Sequence, residues 1–223
     1  MTALGDLQKT LPEEAEREHR TGQTQIVLDG TRYRITLWQG FVDSLFSPIN
    51  QMESARSMLT KVNFPRESLI LAGLLEVAFS FSIRFAFLFV GLLWFGVSLP
   101  WTMALAPLAI VILVVLGTTI GLALLPFSLL YQDVHRGLVI ACSLWLFVTP
   151  VVYPPPTKWP WVLITYANPV TPFLVTASEL ITTGVLTRPM AFAVATVLVI
   201  PCFAGAWVLY RLAIPHMIAR ISS

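Results

Sequence analysis

The sequence predicts an all-α membrane protein, a transmembrane bundle of about five spanning helices with short re-entrant or interfacial helices between them. Of the 223 residues, 56% are hydrophobic and only 12% are charged, about half the charged share of an average soluble domain. The mean hydropathy is +0.76. The charges are also unevenly distributed, because residues 1–34 hold 11 of the 26 Asp, Glu, Lys and Arg residues.

This composition excludes a disordered chain, a disulfide scaffold and a soluble nucleic-acid-binding protein. The net charge of +2 is too small to imply a polyanionic partner. Cys142 and Cys202 lie in apolar runs, so we expect them to pack as small hydrophobic side chains. We expect no metal and no cofactor. Residues 1–30 form a polar segment too small to fold alone, and 31–223 form one transmembrane domain.

Five apolar segments have the length of membrane-spanning helices, which need roughly 20 mostly apolar residues. The stretch 85–132 contains no charged residue and is long enough for two of them. The predicted spans are 33–49, 69–97, 102–129, 137–153 and 189–211. The residues alone do not decide whether the first of these segments spans the membrane, because it contains Asp43 and Pro48.

The distribution of Lys and Arg predicts the orientation of the spans. Segments 50–67 and 131–136 and the C-terminus are the basic ones, and we place them in the cytoplasm. The connection 154–186 contains one basic residue, Lys158, and the next one along the chain is Arg188. We therefore place this connection outside.

Residues 50–62 have the pattern of a short amphipathic helix. Asn50 and Glu53 have the spacing of a capping box. The apolar side chains fall on one stripe: Met52, Ala55, Met58, Leu59 and Val62. Such a helix on the cytoplasmic surface is either a docking element for a soluble partner or an interfacial linker that only anchors the loop.

The outer segment 154–186 is rich in proline and aromatic residues. Its prolines interrupt any long helix, but the stretches 161–167 and 173–181 fit two short re-entrant or interfacial helices, with Asn168-Pro169 as the turn between them. The aromatic residues at and within this segment are Tyr153, Trp159, Trp161, Tyr166 and Phe173. They form either an interfacial girdle or a sugar-stacking surface at an exit gate.

Three ionisable residues, Glu76, Arg84 and Glu179, lie within or near the predicted spans, where a charge needs a partner, water or the headgroups. Gly117 and Gly121 form a GxxxG pattern that permits close helix contact within the chain or between subunits. The sequence has no Walker-type phosphate loop, no HExxH and no GxSxG motif, so we expect it not to be an enzyme.

Four stretches, in this order, resemble one family. They are LWQGFVDSL (37–45), ARSMLTKVNFPRE (55–67), YQDVHRGLVIACSLWLFVTPVVYP (131–154) and NPVTPF (168–173). Over roughly residues 31–220 the chain resembles the permease subunits of ATP-binding cassette exporters. These transporters move polysaccharides or lipid-linked glycans, and they include the O-antigen, capsule and teichoic-acid exporters.

The resemblance implies one half of a homodimeric pore in the bacterial inner (plasma) membrane, with ATP hydrolysed by a separate nucleotide-binding subunit. Segment 51–63 would be the coupling helix on that subunit, with contacts from Ser54, Arg56, Met58, Leu59, Lys61, Phe64, Pro65 and Arg66. The outer gate and substrate path would include Tyr153, Trp159, Trp161, Tyr166, Asn168 and Pro169. The implied partners are the ATPase subunit, a second copy, membrane lipid and a glycan, with no nucleic acid.

The resemblance does not extend to the first of the family's six spans. Residues 1–37, which precede Trp38, are mainly polar, so we expect this chain to lack that span. Two alternatives to glycan export follow from the residues: a permease for drugs or lipids, and a membrane scaffold with no transport role.

Overall fold

The computed structural model describes residues 33–55, 66–94, 101–151, 153, 167–182 and 184–221. Within these ranges the regular structure is entirely helical, which confirms the all-α prediction. We number the α-helices in chain order: α1 (33–54), α2 (Arg66–Trp94), α3 (Ala106–Leu130), α4 (Gln132–Val148), α5 (Thr171–Thr182) and α6 (Pro189–Ile221). A short 3-10 helix, Trp101–Leu105, precedes α3.

Helix α1 lies at the centre of the hydrophobic core. Its buried apolar side chains recur every three or four residues and form one stripe: Leu37, Phe41, Leu45, Ile49 and Met52. The N-terminal part of this stripe packs in one cluster with Leu113 of α3 and Phe173 of α5. The C-terminal part packs with Leu122 of α3 and Tyr210 of α6. Segment 33–49, which the sequence does not assign with certainty to a span, therefore lies in a buried helix.

Two glycines of α3 allow close contact with α1. A Cβ built on Gly121 would lie 2.1 Å from the carbonyl oxygen of Leu45, and one built on Gly117 would lie 2.0 Å from Oγ of Ser44. Any side chain at these positions would push the two helices apart. Of the two roles that the sequence allows for the GxxxG pattern, the structure shows the contact within one chain.

Helix α2 also approaches α1 closely, on a neighbouring face of α1. A Cβ on Gly40 of α1 would lie 2.0 Å from the ring of Phe81, and a Cβ on Gly73 of α2 would lie 2.4 Å from Oγ of Ser47. Helix α1 therefore packs closely against both α2 and α3 at these glycines.

Among the described residues, two helices are long and apolar enough to cross a membrane, Ala106–Leu130 and Pro189–Ala213. In the most apolar window of α6 only 11% of the residues are buried inside the protein. Its exposed apolar side chains include Met190, Val194, Val197, Leu198, Ile200, Val208, Leu209 and Leu212. Soluble monomers rarely expose such a continuous apolar surface, so this face of α6 requires lipid or another protein.

The capping box predicted at Asn50 is wrong, because α1 continues through this residue and reaches a turn only at Ala55. Ile49 and Met52 extend the buried stripe of α1, and the burial of these side chains outweighs the local capping preference. The first residues of the predicted coupling helix 51–63 are therefore the last turn of α1.

The connection between α3 and α4 is shorter than the predicted turn 131–136. Only Tyr131 has an extended backbone, with φ −127° and ψ 109°. Helix α4 covers Gln132–Val148 in place of the predicted span 137–153. It ends just before a turn that contains Pro150, a residue that cannot donate a backbone hydrogen bond.

Candidate functional site

A polar cluster joins the end of α1 to the beginning of α4. One carboxylate oxygen of Glu53 lies 3.1 Å from Nδ1 of His135, and the other accepts a hydrogen bond of 3.1 Å from the hydroxyl of Ser128. The His135 ring packs against Phe46, with ring centroids 5.4 Å apart. We call Glu53, Ser128 and His135 the Glu53 cluster. Because α1, α3 and α4 each contribute one of these residues, the cluster holds three helix ends together.

Glu76, one of the predicted intramembrane charges, lies at the same end of the bundle. Its carboxylate accepts a hydrogen bond of 2.8 Å from Nε2 of Gln51, which precedes Glu53 by two residues. This bond attaches α2 to the last turn of α1. Arg84 is also on α2, but its side chain is outside the described part of the chain.

The predicted coupling residues are only partly described. Ser54 is exposed in the last turn of α1, and its hydroxyl donates a hydrogen bond of 3.0 Å to the carbonyl oxygen of Gln51. Arg66 begins α2. The others lie outside the described residues: Arg56, Met58, Leu59, Lys61, Phe64 and Pro65. In the sequence, residues 56–65 link the end of α1, which contributes Glu53 to the Glu53 cluster, to the beginning of α2.

A second polar cluster lies at the opposite end of α4. The side chain of Asn168 is buried; its Nδ2 donates a hydrogen bond of 2.7 Å to Oγ1 of Thr149. Its Oδ1 accepts hydrogen bonds from the indole of Trp145, at 3.3 Å, and from the backbone N–H of Val170, at 3.1 Å. Trp145 also packs edge-on against Phe41 in the core. We call Asn168, Thr149 and Trp145 the Asn168 cluster. It attaches the turn before α5 to the end of α4.

Arg34 connects α1 to this same end. Its Nη1 donates hydrogen bonds to the carbonyl oxygens of Pro150, at 3.3 Å, and Tyr153, at 3.0 Å. The guanidinium also interacts electrostatically with the carboxylate of Glu179 on α5. Glu179 in turn accepts hydrogen bonds from the backbone N–H of Thr187, at 3.3 Å, and from the hydroxyl of that residue. One ionic network therefore joins α1, α5 and the segments that follow α4 and precede α6.

The sequence prediction identifies Glu179 but misses Arg34. Arg34 lies at the boundary between the polar N-terminal segment and the predicted span 33–49. In the sequence it is grouped with the charged residues of 1–34 and not with the charges within the spans. A basic residue in the first turn of an apolar helix requires a partner at that depth, and this requirement is the signal that identifies it.

Of the predicted outer-gate residues, the structure brings Tyr153 and Asn168 to the same end of the bundle. The Tyr153 hydroxyl donates to the carbonyl oxygens of Phe147, at 3.3 Å, and Val148, at 3.1 Å, in the last turn of α4. Pro169 is exposed in the turn before α5. Trp159, Trp161 and Tyr166 lie outside the described residues.

The two polar clusters are separated by most of the length of α4. His135 and Thr149 are fourteen residues apart, which corresponds to about 21 Å along a helix. Between the clusters the buried side chains are mainly apolar, and the buried hydroxyls of Ser44, Thr118 and Thr119 donate to carbonyl oxygens of their own helices. Polar groups concentrated at two ends of an apolar helical body are the distribution expected of a protein that lies across a bilayer.

The fold and these clusters define the class of protein: the part of the chain that the structure describes is helical, with two helices able to cross a membrane and polar clusters at both ends. No family model matches the chain, and no curated protein matches it. Within the described ranges, no group of three or more His, Cys, Asp and Glu residues is placed to hold a metal ion.

Proposed function

We propose that this chain is the membrane-spanning permease subunit of an ATP-binding cassette exporter in the bacterial inner membrane. Two copies form the path for a polysaccharide or lipid-linked glycan, and a separate nucleotide-binding subunit hydrolyses ATP. Helices α1, α2, α3, α4 and α6 are the five spans of the multi-pass subunit. The observation that carries the proposal is the Glu53 cluster, because Glu53 belongs to segment 51–63, which resembles a coupling helix, and attaches it to α3 and α4.

A permease driven by a separate ATPase needs a segment that contacts the ATPase and is also firmly attached to the spans. Residues 56–65 continue directly from α1 and lead directly into α2. The bond between Gln51 and Glu76 ties these two helices together, and the bond between Glu53 and His135 ties α1 to α4. A displacement of the coupling segment is therefore transmitted to three spans at once.

The opposite end of the bundle supports the outer-gate part of the proposal. Helix α5 has 12 residues, or about 18 Å, which is too short to cross a hydrocarbon core of about 30 Å. Nine of these residues are buried, so α5 is inserted into the end of the bundle. Helix α5 packs against α3 and α6, and the Asn168 cluster and the bonds of Arg34 and Glu179 attach its surroundings to α1 and to the end of α4. A short buried helix held by polar contacts suits a gate that moves as one unit.

A permease for drugs or lipids would use the same coupling arrangement. Competition for transport distinguishes the two substrate classes. If the chain exports glycans, a purified lipid-linked glycan inhibits the transport that this chain carries out into inverted vesicles. A drug that competes equally well assigns the chain to the other class.

Removing the Glu53–His135 contact is expected to uncouple ATP hydrolysis from transport. The contact is a partly exposed polar pair, worth about 1 kcal/mol, or roughly a fivefold change in an equilibrium. In Glu53→Ala and His135→Ala variants, the ATPase subunit is still captured, but glycan export per ATP hydrolysed falls about fivefold. In the double variant, export per ATP falls no further than in Glu53→Ala, because His135 acts through its contact with Glu53.

The matched control is Asp133→Ala, which removes an exposed acidic residue from the same first turn of α4. This variant is expected to export glycan at the wild-type ratio. An unchanged ratio in Glu53→Ala, with the protein present at the wild-type level, would show that the Glu53 cluster does not transmit the motion.

A further inference from the structure

The exposed residues of α1 fall on one narrow stripe that runs along the whole helix. They are Ile35, Gln39, Asp43, Asn50 and Ser54. At 3.6 residues per turn, they lie within about 100° of the helix circumference. Four of the five are polar, and we call these four residues the α1 polar stripe. The buried apolar stripe of α1 lies on the opposite face, so the helix is amphipathic over its whole length.

The α1 polar stripe passes through the middle of the bundle. Helix α1 runs beside α3 in the same direction. Tyr33 packs on the cluster that contains Ala106, the first residue of α3, and Glu53 bonds to Ser128 near the end of α3. Asp43 is ten residues from both Tyr33 and Glu53, or about 15 Å along the helix. Because α3 is able to cross a membrane, Asp43 lies at the depth of the hydrocarbon core.

The exposed face of α6 has the composition that a lipid-facing surface requires. Between residues 193 and 209, the exposed residues of α6 carry no charged, amide or hydroxyl group. A carboxylate or an amide at hydrocarbon depth is costly unless it contacts protein or water. The face of α6 therefore suits lipid, whereas the α1 polar stripe does not.

The two amides of the α1 polar stripe favour water over protein. Within the part of the chain that the structure describes, the side chains of Gln39 and Asn50 make no hydrogen bond to another protein group. Each amide carries two donor hydrogens and an acceptor oxygen. Polar groups covered by protein are almost always hydrogen-bonded to it, so exposed amides without protein partners indicate contact with water.

We propose that the α1 polar stripe lines a water-filled path across the membrane. The inference rests on the proposed function, in which two copies enclose such a path, and it assigns one wall of the path to α1. The amide, carboxylate and hydroxyl groups of the stripe offer hydrogen bonds to a hydrated solute rich in hydroxyl groups. Helix α1 also contributes Arg34 and Glu53 to the polar contacts at its two ends, so the wall is attached to both ends of the bundle.

The test measures the reaction of single cysteines with a charged methanethiosulfonate on both sides of phosphatidylcholine vesicles that contain the full chain. The exposed Cys202 is first replaced by alanine, and Cys142 is kept because it is buried. The reagent attacks the thiolate, which forms in contact with water and is disfavoured in apolar surroundings. We therefore expect Gln39→Cys and Asp43→Cys to react at least about tenfold faster than Ile200→Cys.

Ile200→Cys is the matched control, because Ile200 is 67% exposed and lies near the middle of the apolar face of α6. After unfolding in sodium dodecyl sulfate, all of the introduced cysteines are expected to react at the same rate, which shows that each thiol is intact. Asn50→Cys supplies another position on the stripe if the variant at Gln39 or Asp43 fails to fold.

Reaction in α1 as slow as at Ile200→Cys would overturn the proposal, because lipid or protein would then cover the stripe. An Asp43→Cys chain that forms a disulfide between copies in place of reacting with the reagent would also overturn it. These rates require neither an ATPase subunit nor a glycan. Fast labelling of a chain that captures no ATPase subunit would keep the water-filled path and reject the permease role. Slow labelling of a chain that captures the subunit would do the reverse.

Discussion

Replacing Gly121 with leucine is expected to lower the melting temperature of the purified protein by roughly 6–12 °C. The new Cβ would lie 2.1 Å from the carbonyl oxygen of Leu45 and 2.8 Å from Cγ of Pro48. A backbone oxygen cannot rotate away, so α3 must separate from α1. Overpacking of this kind costs about 3 kcal/mol or more, and 1 kcal/mol corresponds to roughly 2–4 °C in a chain of this size.

The matched control is Gly205→Leu in α6. A Cβ at Gly205 meets no atom within 4 Å, so the leucine projects into open space. Its melting temperature is expected to equal or slightly exceed that of the wild type, because leucine favours a helix more than glycine does. Both variants are measured by thermal unfolding in the same detergent. If they melt at the same temperature, the close contact between α1 and α3 is not part of the structure.

Replacing Asn168 with alanine is expected to destabilise the protein by about 2–4 kcal/mol. The change leaves the indole N–H of Trp145, the hydroxyl of Thr149 and the backbone N–H of Val170 without the bonds that Asn168 makes. Each buried group that loses its partner costs about 1–3 kcal/mol. The loss is measured as a lower melting temperature in detergent. Proteolysis between α4 and α5 is also expected to be faster, since Asn168 attaches the turn before α5 to the end of α4.

Ser143→Ala is the control for this change. Ser143 is an exposed residue of α4, and its hydroxyl bonds only to the carbonyl oxygen of Val139 one turn earlier. Its loss is expected to change stability by less than about 0.5 kcal/mol. An Asn168→Ala variant as stable as Ser143→Ala would show that the Asn168 cluster does not hold α5.

The helices follow from local sequence patterns, but the place of each helix does not. The apolar runs predict α3 and α6 because hydrophobicity over about 20 residues is a property of one segment. Segment 33–49 stays ambiguous in the sequence, because Asp43 and Pro48 argue against an apolar span. Its central position depends on Gly117 and Gly121, more than 60 residues further along the chain. The false capping box at Asn50 has the same origin, since burial against distant helices decides where α1 ends.

The polar clusters, like the helices, could be predicted only in part from the sequence. The cost of a charge in an apolar segment identifies Glu76 and Glu179 from the sequence. Their partners cannot be inferred, because contacts that cross between helices are set by tertiary packing. Glu53 and His135 are 82 residues apart, and Arg34 bonds to carbonyl oxygens more than 115 residues away. A backbone carbonyl is present at every residue, so no sequence pattern marks it as the acceptor for Arg34.

The most direct test of the permease role is capture of the nucleotide-binding subunit of a glycan exporter from the same genome. The full chain is immobilised in detergent and compared with a chain that carries Arg56→Glu and Lys61→Glu. The control chain carries Lys158→Glu and Arg188→Glu, which make the same change in net charge in and beside the predicted outer connection. All three chains are first shown to be folded by size-exclusion chromatography.

We expect the wild type and the control to capture the ATPase subunit equally, and the Arg56→Glu/Lys61→Glu chain to capture at least about tenfold less, a loss of roughly 1.4 kcal/mol. Charge reversal in the coupling segment removes the attraction and adds repulsion at the contact. Equal capture by all three chains would contradict the assignment of 51–63 as the coupling segment. No capture by the folded wild-type chain would contradict the permease role itself.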